Sequence, residues 1–288
     1  INGQINTLES GNPNLKPETS ISRTVGFVYS PDWAPGLNLN LDYYRIALQN
    51  TIQPISGQAI LNGCYIAGNL NDCSRITRGG AGSITNINDS VTNVGSVLTD
   101  GMDLGATYAF ASTSVGEFKA GVDATFTRNY TITVPNPGSA PTVTQLVGVE
   151  RGGTVFPFGV PRMKINTSLQ WTAGNWKAEW DMRYISSLTE SCSDSFDGGA
   201  KSLTNLGLCS NPNVTNNSLS TNHLGTTIYH DVSVNYNYDP AKMTFTFGIK
   251  NMFNKEPPSS TQQQLNSFDP TLYDVPGRFF YARIGIKY

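Results

Sequence analysis

Apolar and polar residues alternate one for one in segment after segment of this 288-residue chain, which limits the fold more than any other feature. The clearest case puts Trp176, Ala178, Trp180, Met182 and Tyr184 on one side and Lys177, Glu179, Asp181 and Arg183 on the other. A period of two is that of a β-strand, whose successive side chains point to opposite faces of a sheet. The same division groups Ile21, Val25, Phe27 and Tyr29, with Arg23 the single intruder, and sets Leu37, Leu39, Leu41 and Tyr43 against Asn38, Asn40, Asp42 and Tyr44. Met102, Leu104, Ala106, Tyr108 and Phe110 oppose Asp103, Gly105 and Thr107, while Phe118, Ala120, Val122, Ala124 and Phe126 oppose Lys119, Asp123, Thr125 and Thr127. Met163, Ile165, Leu169 and Trp171 share a face, as do Ile228, Val232, Val234, Tyr236 and Tyr238, and then Met243, Phe245, Phe247 and Ile249. Arg278 to Tyr288 separate Phe280, Ala282, Ile284, Ile286 and Tyr288 from Phe279, Tyr281, Arg283, Gly285 and Lys287. The pattern predicts about nine strands.

Composition narrows the class. Charged residues make up 14% of the chain, against roughly 25% in soluble domains. The net charge of −2 comes without any basic run, so the footprint of a nucleic-acid partner is lacking. No apolar stretch approaches the ~18 residues of a transmembrane helix, and helix formers do not gather at a period of 3.6. The reading is all-β. The start, Ile1-Asn2-Gly3-Gln4, shows no methionine, basic region or apolar core. Either a signal peptide has been removed or the chain begins inside a longer protein, and the resemblance below favours the second.

Alternation alone does not say what covers the apolar face. A soluble antiparallel sandwich or barrel would bury it inward. Three features point instead to an outer-membrane barrel. Connections near Pro31–Gly36, Ser112–Gly116, Thr172–Asn175 and Asp239–Ala241 are short, whereas those near Thr51–Val94, Thr131–Val160, Ser187–Gly225 and Phe253–Pro276 are long and polar. Such barrels have short periplasmic turns and long extracellular loops, and compact soluble domains rarely hold several loops beyond ~15 residues. Aromatics also gather at strand ends (Tyr29, Tyr43, Trp171, Trp176, Tyr184, Tyr238, Tyr288), as an interfacial girdle would. Finally, a Lys or Arg facing lipid at the midplane costs ~2–4 kcal/mol, so Lys177 and Arg183 need a wet lumen. If the last strand ends in the periplasm, every long loop falls outside and every short turn inside. Ser83–Gly101 fits either one descending strand with an extension or an added extracellular hairpin.

Several motifs resemble those of TonB-dependent outer-membrane receptors. Gly11-Asn12-Pro13-Asn14-Leu15-Lys16-Pro17-Glu18-Thr19-Ser20 is similar to the family's N-P-x-L-K-P-E motif before a mid-barrel strand, and Pro35 to Ile46 to the strand that follows. Asp100-Gly101-Met102-Asp103-Leu104 resembles its G-hydrophobic-[ED] strand, and Lys250-Asn251-Met252-Phe253-Asn254-Lys255 its N-L-F-[DN]-K signature. Gly277-Arg278 and the aromatic end complete the set in the family's order. Physically, Pro13 and Pro17 favour extended neighbours at a loop entry, Asn251 and Asn254 suit a turn leaving the bilayer, and Gly277 relieves crowding at a strand start.

The resemblance implies a barrel of roughly 22 strands with a plugged lumen, of which residues 1–288 supply the C-terminal portion. The family's plug domain and TonB box have no counterpart here. The expected function is TonB-dependent uptake of a scarce nutrient (siderophore, cobalamin or oligosaccharide). The implied partners are outer-membrane lipid, the small-molecule ligand and the TonB complex, reached through the missing N-terminal region. No cofactor, enzymatic activity or nucleic acid is expected. The rival readings are a passive porin and a soluble carbohydrate-binding β protein.

Cys64 and Cys73 lie in one expected extracellular loop, Cys192 and Cys209 in another. Four cysteines allow three connectivities. Pairing within each loop closes short rings at an oxidising surface, so Cys64–Cys73 and Cys192–Cys209 are the expected disulfides. A metal site with His223 lacks zinc-like spacing, and free thiols are the other alternative. His230 and Asp231 are strand neighbours and point to opposite faces, so they do not form a base–orienter pair; His230 belongs on the lipid side. The row Lys177, Glu179, Asp181 and Arg183 reads as lumen-wall ion pairing, internal or with a plug, ahead of substrate binding. Ligand contacts are expected from loops such as Asp194–Leu208 and Gln262–Tyr273.

Overall fold

The computed structural model describes residues 6–8, 10–53, 55, 57–80, 82–136, 140–151, 159–192, 202–263, 267–274 and 277–286. Nine strands carry its principal sheet: β1 (Thr19–Tyr29), β2 (Leu37–Gln49), β3 (Ser96–Ala109), β4 (Glu117–Val134), β5 (Met163–Ala173), β6 (Trp176–Ile185), β7 (Thr227–Tyr238), β8 (Met243–Lys250) and β9 (Phe279–Ile286). Each lies beside its sequence neighbours, from β9 back to β1. From β4 to β9 every pairing is antiparallel. A meander of this kind needs no crossovers, only hairpins. Its connections alternate short and long as the sequence predicts. Lys287 and Tyr288 lie outside the described residues.

β4 is longer than its alternating core: it continues to Val134, where Thr142–Gln145 pairs antiparallel with Thr131–Val134. Ser83–Gly101 resolves into the start of a long β3 and two loop strands, Ile84–Asn88 and Thr92–Asn93, in separate small sheets; among the described residues it adds no hairpin to the principal sheet.

The chain groups into two compact units, Ile1–Arg23, Arg45–Asp100 and Asn129–Gln145 in the first, and Thr24–Tyr44, Gly101–Arg128 and Leu146–Tyr288 in the second. In the first unit, Asn6–Leu8 and Ile76–Arg78 flank Ile84–Asn88. Two short helices, α1 (Gly57–Tyr65) and α2 (Leu70–Ser74), were not legible in the sequence. At nine and five residues neither would persist alone, since isolated helices below ~12–15 residues are marginal. Tertiary contacts hold them. Ile60 is fully buried with Ile55, Ala59, Ile76 and Ile87, and the Asn69 side chain accepts the Asn71 N–H to cap α2.

In the second unit the faces separate along the register. Phe118, Trp171, Ala178, Val234, Phe247 and Ala282 form one cross-strand apolar row, and Ala120, Leu169, Trp180, Val232, Ile249 and Phe280 the next. These rows are open to the surroundings: Phe247 is 54% exposed and Phe280 57%. The buried apolar side chains of this unit sit elsewhere: Ile185, Tyr229 and Tyr273 cluster together, and Leu146, Leu188 and Leu224 are buried among the loop segments. An uncovered apolar face of this extent is foreign to a soluble monomer.

Gly36 starts the return into β2 at a φ of 91°, and a Cβ there would lie 2.3 Å from the Ala109 carbonyl oxygen. The Ala109 N–H in turn donates to the Gly36 oxygen at 3.0 Å. Gly36→Ala therefore strains both backbone and turn, costing about 1–3 kcal/mol. The expected outcome is a lower unfolding midpoint by heat-shifted gel mobility, with no such shift for Gly11→Ala, where nothing lies within 4 Å and φ is not positive.

Candidate functional site

The polar positions of the second unit align as strictly as the apolar ones. One row holds Asp123, Asn166, Arg183 and Tyr229; the adjacent row holds Gly121, Ser168, Asp181 and Asp231. Asp181 and Asp231 are directly opposite, an unfavourable like-charge pair. A cavity of about 430 Å³ opens on this patch, lined among others by Asp123, Asn166, Glu179, Asp181, Arg183 and Asp231.

Arg183 is the focus of the patch. Its Nη1 donates to Asp274 Oδ1 at 3.2 Å and its Nη2 to Asp274 Oδ2. Asp231 Oδ2 lies 3.9 Å from Nη2, and the guanidinium stands 4.9 Å from the Tyr229 ring centroid. A planar fork on a carboxylate fixes orientation as well as charge. Arg183 thereby ties the Asp274 loop to the sheet, with Tyr273 buried beside Tyr229 below it. Lys177 pairs with Glu179 at 3.9 Å along the same face. Of the two pairings expected for this charged row, the described residues show the internal one.

Above the strands a second, smaller sheet forms from loop segments: Val149–Glu150 runs parallel to Leu188–Ser191, which pairs antiparallel with Thr221–Leu224. Its register brings Glu150, Glu190 and Asn222 into one row. Both glutamates are 1% exposed. Glu190 accepts hydrogen bonds from Asn222 Nδ2 (2.9 Å), Ser260 Oγ (2.5 Å), Thr261 N (2.9 Å) and Thr261 Oγ1 (2.9 Å). Glu150 Oε1 accepts from Gln263 Nε2 at 2.5 Å, which also reaches the Arg151 carbonyl at 3.1 Å. Burial, with Asp269 and Glu190 nearby, pushes the Glu150 carboxyl up to about 7 against the pull of Gln263. Burial likewise raises the Tyr273 phenol, with Glu150 and Asp269 adding to the effect.

The sequence-derived candidates fall as follows. Cys64 is bonded to Cys73, bridging α1 to α2, and Cys192 to Cys209. The Cys192 N–H donates to the Ser220 oxygen at 2.9 Å, so the second bridge closes the end of the loop sheet. His223 sits on that sheet opposite Thr189, with its backbone N–H donating to Ser210 Oγ at 2.6 Å, while both cysteines of the nearby bridge are bonded to each other. Among the described residues no group of His, Cys, Asp or Glu is arranged to hold a metal. His230 lies on the apolar face opposite Met182, accepting from Trp180 Nε1 at 3.2 Å and meeting the Phe253 ring at 5.0 Å. Asp231 points to the polar face, as alternation requires, and accepts the Asn251 N–H at 2.7 Å. Of the loop Asp194–Leu208, residues 194–201 lie outside the described residues, as do 264–266 of Gln262–Tyr273. Glu150, Glu190, Asp269 and Asp274 were not singled out by sequence. Each is a lone acid in a polar loop, and only the long-range register brings them together.

A meander with an open apolar face, a charged inner face and folded loops at one end is the wall of an outer-membrane β-barrel. The family described as TonB dependent receptor-like, beta-barrel matches residues 2–252, and the chain belongs to that family of bacterial outer-membrane proteins. The FrpB iron transporter from Neisseria meningitidis (F3-3 variant) superposes at a TM-score of 0.54 with 14% identity, over 97% of this chain and 31% of that one. A mutant of the ferric enterobactin receptor from Pseudomonas aeruginosa, in complex with enterobactin, gives 0.56 and 18%, over 96% and 32%. The chain thus spans about a third of these structures. Among curated proteins no match is found.

Removing either partner of the Arg183–Asp274 fork should loosen the loop that carries Tyr273. Because both side chains are about one-third exposed, the coupling is modest. A double-mutant cycle of Arg183→Ala and Asp274→Ala in thermal unfolding should return about 1 kcal/mol or less. Arg183→Lys should recover only part of it, because an ammonium does not reproduce the fork.

Proposed function

We propose that this chain is the C-terminal part of a receptor barrel for TonB-dependent uptake of a scarce nutrient, with a ferric siderophore as the first substrate to test. The observation that supports it most is the coupling of a charged inner face to folded outer loops through Arg183 and Asp274. An inert wall would not need its last loop tethered to the charged inner face. The structural likeness to an iron transporter and a ferric enterobactin receptor favours iron chelates, while cobalamin and oligosaccharides stay within the family's range. The apolar rows meet lipid, and the described edges β1 and β9 pair with further strands of the same barrel, since unpaired edges are not stable in hydrocarbon. Upstream sequence then supplies those strands, a plug and a TonB box. Carboxylates such as Asp181 and Asp231 face basic groups of that plug, which relieves their mutual repulsion. Both disulfides remain oxidised at the cell surface. No chemistry is performed on the cargo.

The test is uptake by cells carrying the complete gene, with and without a functional TonB system. Accumulation of labelled ferric siderophore should fall to background when TonB is removed. Uptake that persists without TonB and scales linearly with concentration would instead establish the passive porin.

A further inference from the structure

The loop sheet holds two buried carboxylates in direct register, Glu150 beside Glu190, with a third, Asp269, close enough to act on Glu150. Three buried carboxylates this close together are costly if all are charged. Yet the row is the anchor of one segment: Ser260, Thr261 and Gln263 all donate to Glu190 or Glu150. Two oxygens of the cluster, Glu150 Oε2 and Asp269 Oδ2, have no hydrogen-bond partner among the described residues, and neither has the Tyr273 hydroxyl. Both acids are 1% exposed. Glu190, by contrast, is engaged as an acceptor at both oxygens. An unpaired buried carboxylate oxygen beside other buried carboxylates is a position at which a proton is held.

We propose that Glu150, Glu190 and Asp269 form a proton-dependent clasp that holds the Ser260–Gln263 segment against the outer loop sheet and releases it as the surroundings become alkaline. Glu150 carries the proton; Glu190 keeps its donors from Asn222, Ser260 and Thr261. The groups facing Glu150 are Glu190 from the neighbouring strand and Asp269 and Tyr273 from the last loop. Arg151, next in sequence, contributes its carbonyl to Gln263, while Arg183 and Asp274 are engaged with each other. His223 stands opposite Thr189 and not in the glutamate row. The sign follows from the raised carboxyl. A group that binds its proton more tightly when docked supports docking fully at pH values below the ordinary glutamate range, and that support is lost as pH rises through about 7. The clasp rests on loop geometry and holds whichever nutrient the receptor takes.

The test is hydrogen exchange of residues 259–263 in the receptor expressed from its complete gene and held in detergent, each rate divided by that of the same peptide free in solution. The wild type should lose roughly tenfold in protection between about pH 5.5 and about pH 8.5. Glu150→Gln, which keeps the acceptor for Gln263 and mimics the protonated acid, should stay protected throughout. Asp269→Asn, which leaves Glu150 intact, should show a smaller loss than the wild type and serves if Glu150→Gln fails to fold. Flat protection in the wild type, or an unchanged pH response in both variants, would overturn the clasp. Siderophore uptake is not the readout, so failure of the clasp and failure of the transport assignment remain distinct.

Discussion

A strand that crosses hydrocarbon must satisfy each backbone N–H and C=O through its neighbours, because no water is present to do so. The nine-strand meander answers this with continuous antiparallel register from β4 to β9. Continuous register then forces the side chains into rows, since a slip by one residue would turn every apolar side chain to the polar face. Exposed Phe247 and Phe280, the Asp181–Asp231 opposition and the aim of Arg183 into the lumen are consequences of that one requirement. Hydrophobic burial has a secondary role in the wall. It reappears in the loops, where Ile60 anchors one unit and Tyr229 with Tyr273 the other.

The loops answer a different problem. They are too long to be simple connections, and they acquire their own secondary structure: two helices, small sheets and two disulfide bridges. Between Leu188 and Leu224 the chain leaves the wall, forms two strands of a separate sheet and returns, with Cys192–Cys209 closing the excursion. That sheet gives the last loop a surface on which to dock. The same loop reaches Arg183 through Asp274, so the wall and the last loop are coupled through that one forked ion pair.

Legibility divided along the same line. Strand number, turn lengths, the face of His230 and the opposed direction of Asp231 could all be read, because a period of two is a local property. Helix α1 could not: Gly57–Tyr65 shows no strong local signal and depends on Ile76 and Ile87, which come later in sequence. The Glu150–Glu190 register was equally invisible, since it pairs two short parallel segments 40 residues apart. Asn251 and Asn254 read as turn residues, and both adopt positive φ (48° and 55°). Gly277 read as a relief of crowding, and a Cβ there would meet Asn254 Oδ1 at 2.4 Å. Patterns set by the backbone were legible; those set by tertiary encounter were not.

The central claim is that the two faces of the wall see different solvents. Single cysteines placed in turn at Ala178, Trp180 and Met182, and at Glu179, Asp181 and Arg183, would report it directly in receptor-containing membranes through a charged, water-soluble thiol reagent. The account predicts labelling that alternates residue by residue, roughly tenfold faster on the charged face than on the apolar one. Equal labelling at all six positions would mean that water reaches both faces, and would contradict a membrane wall.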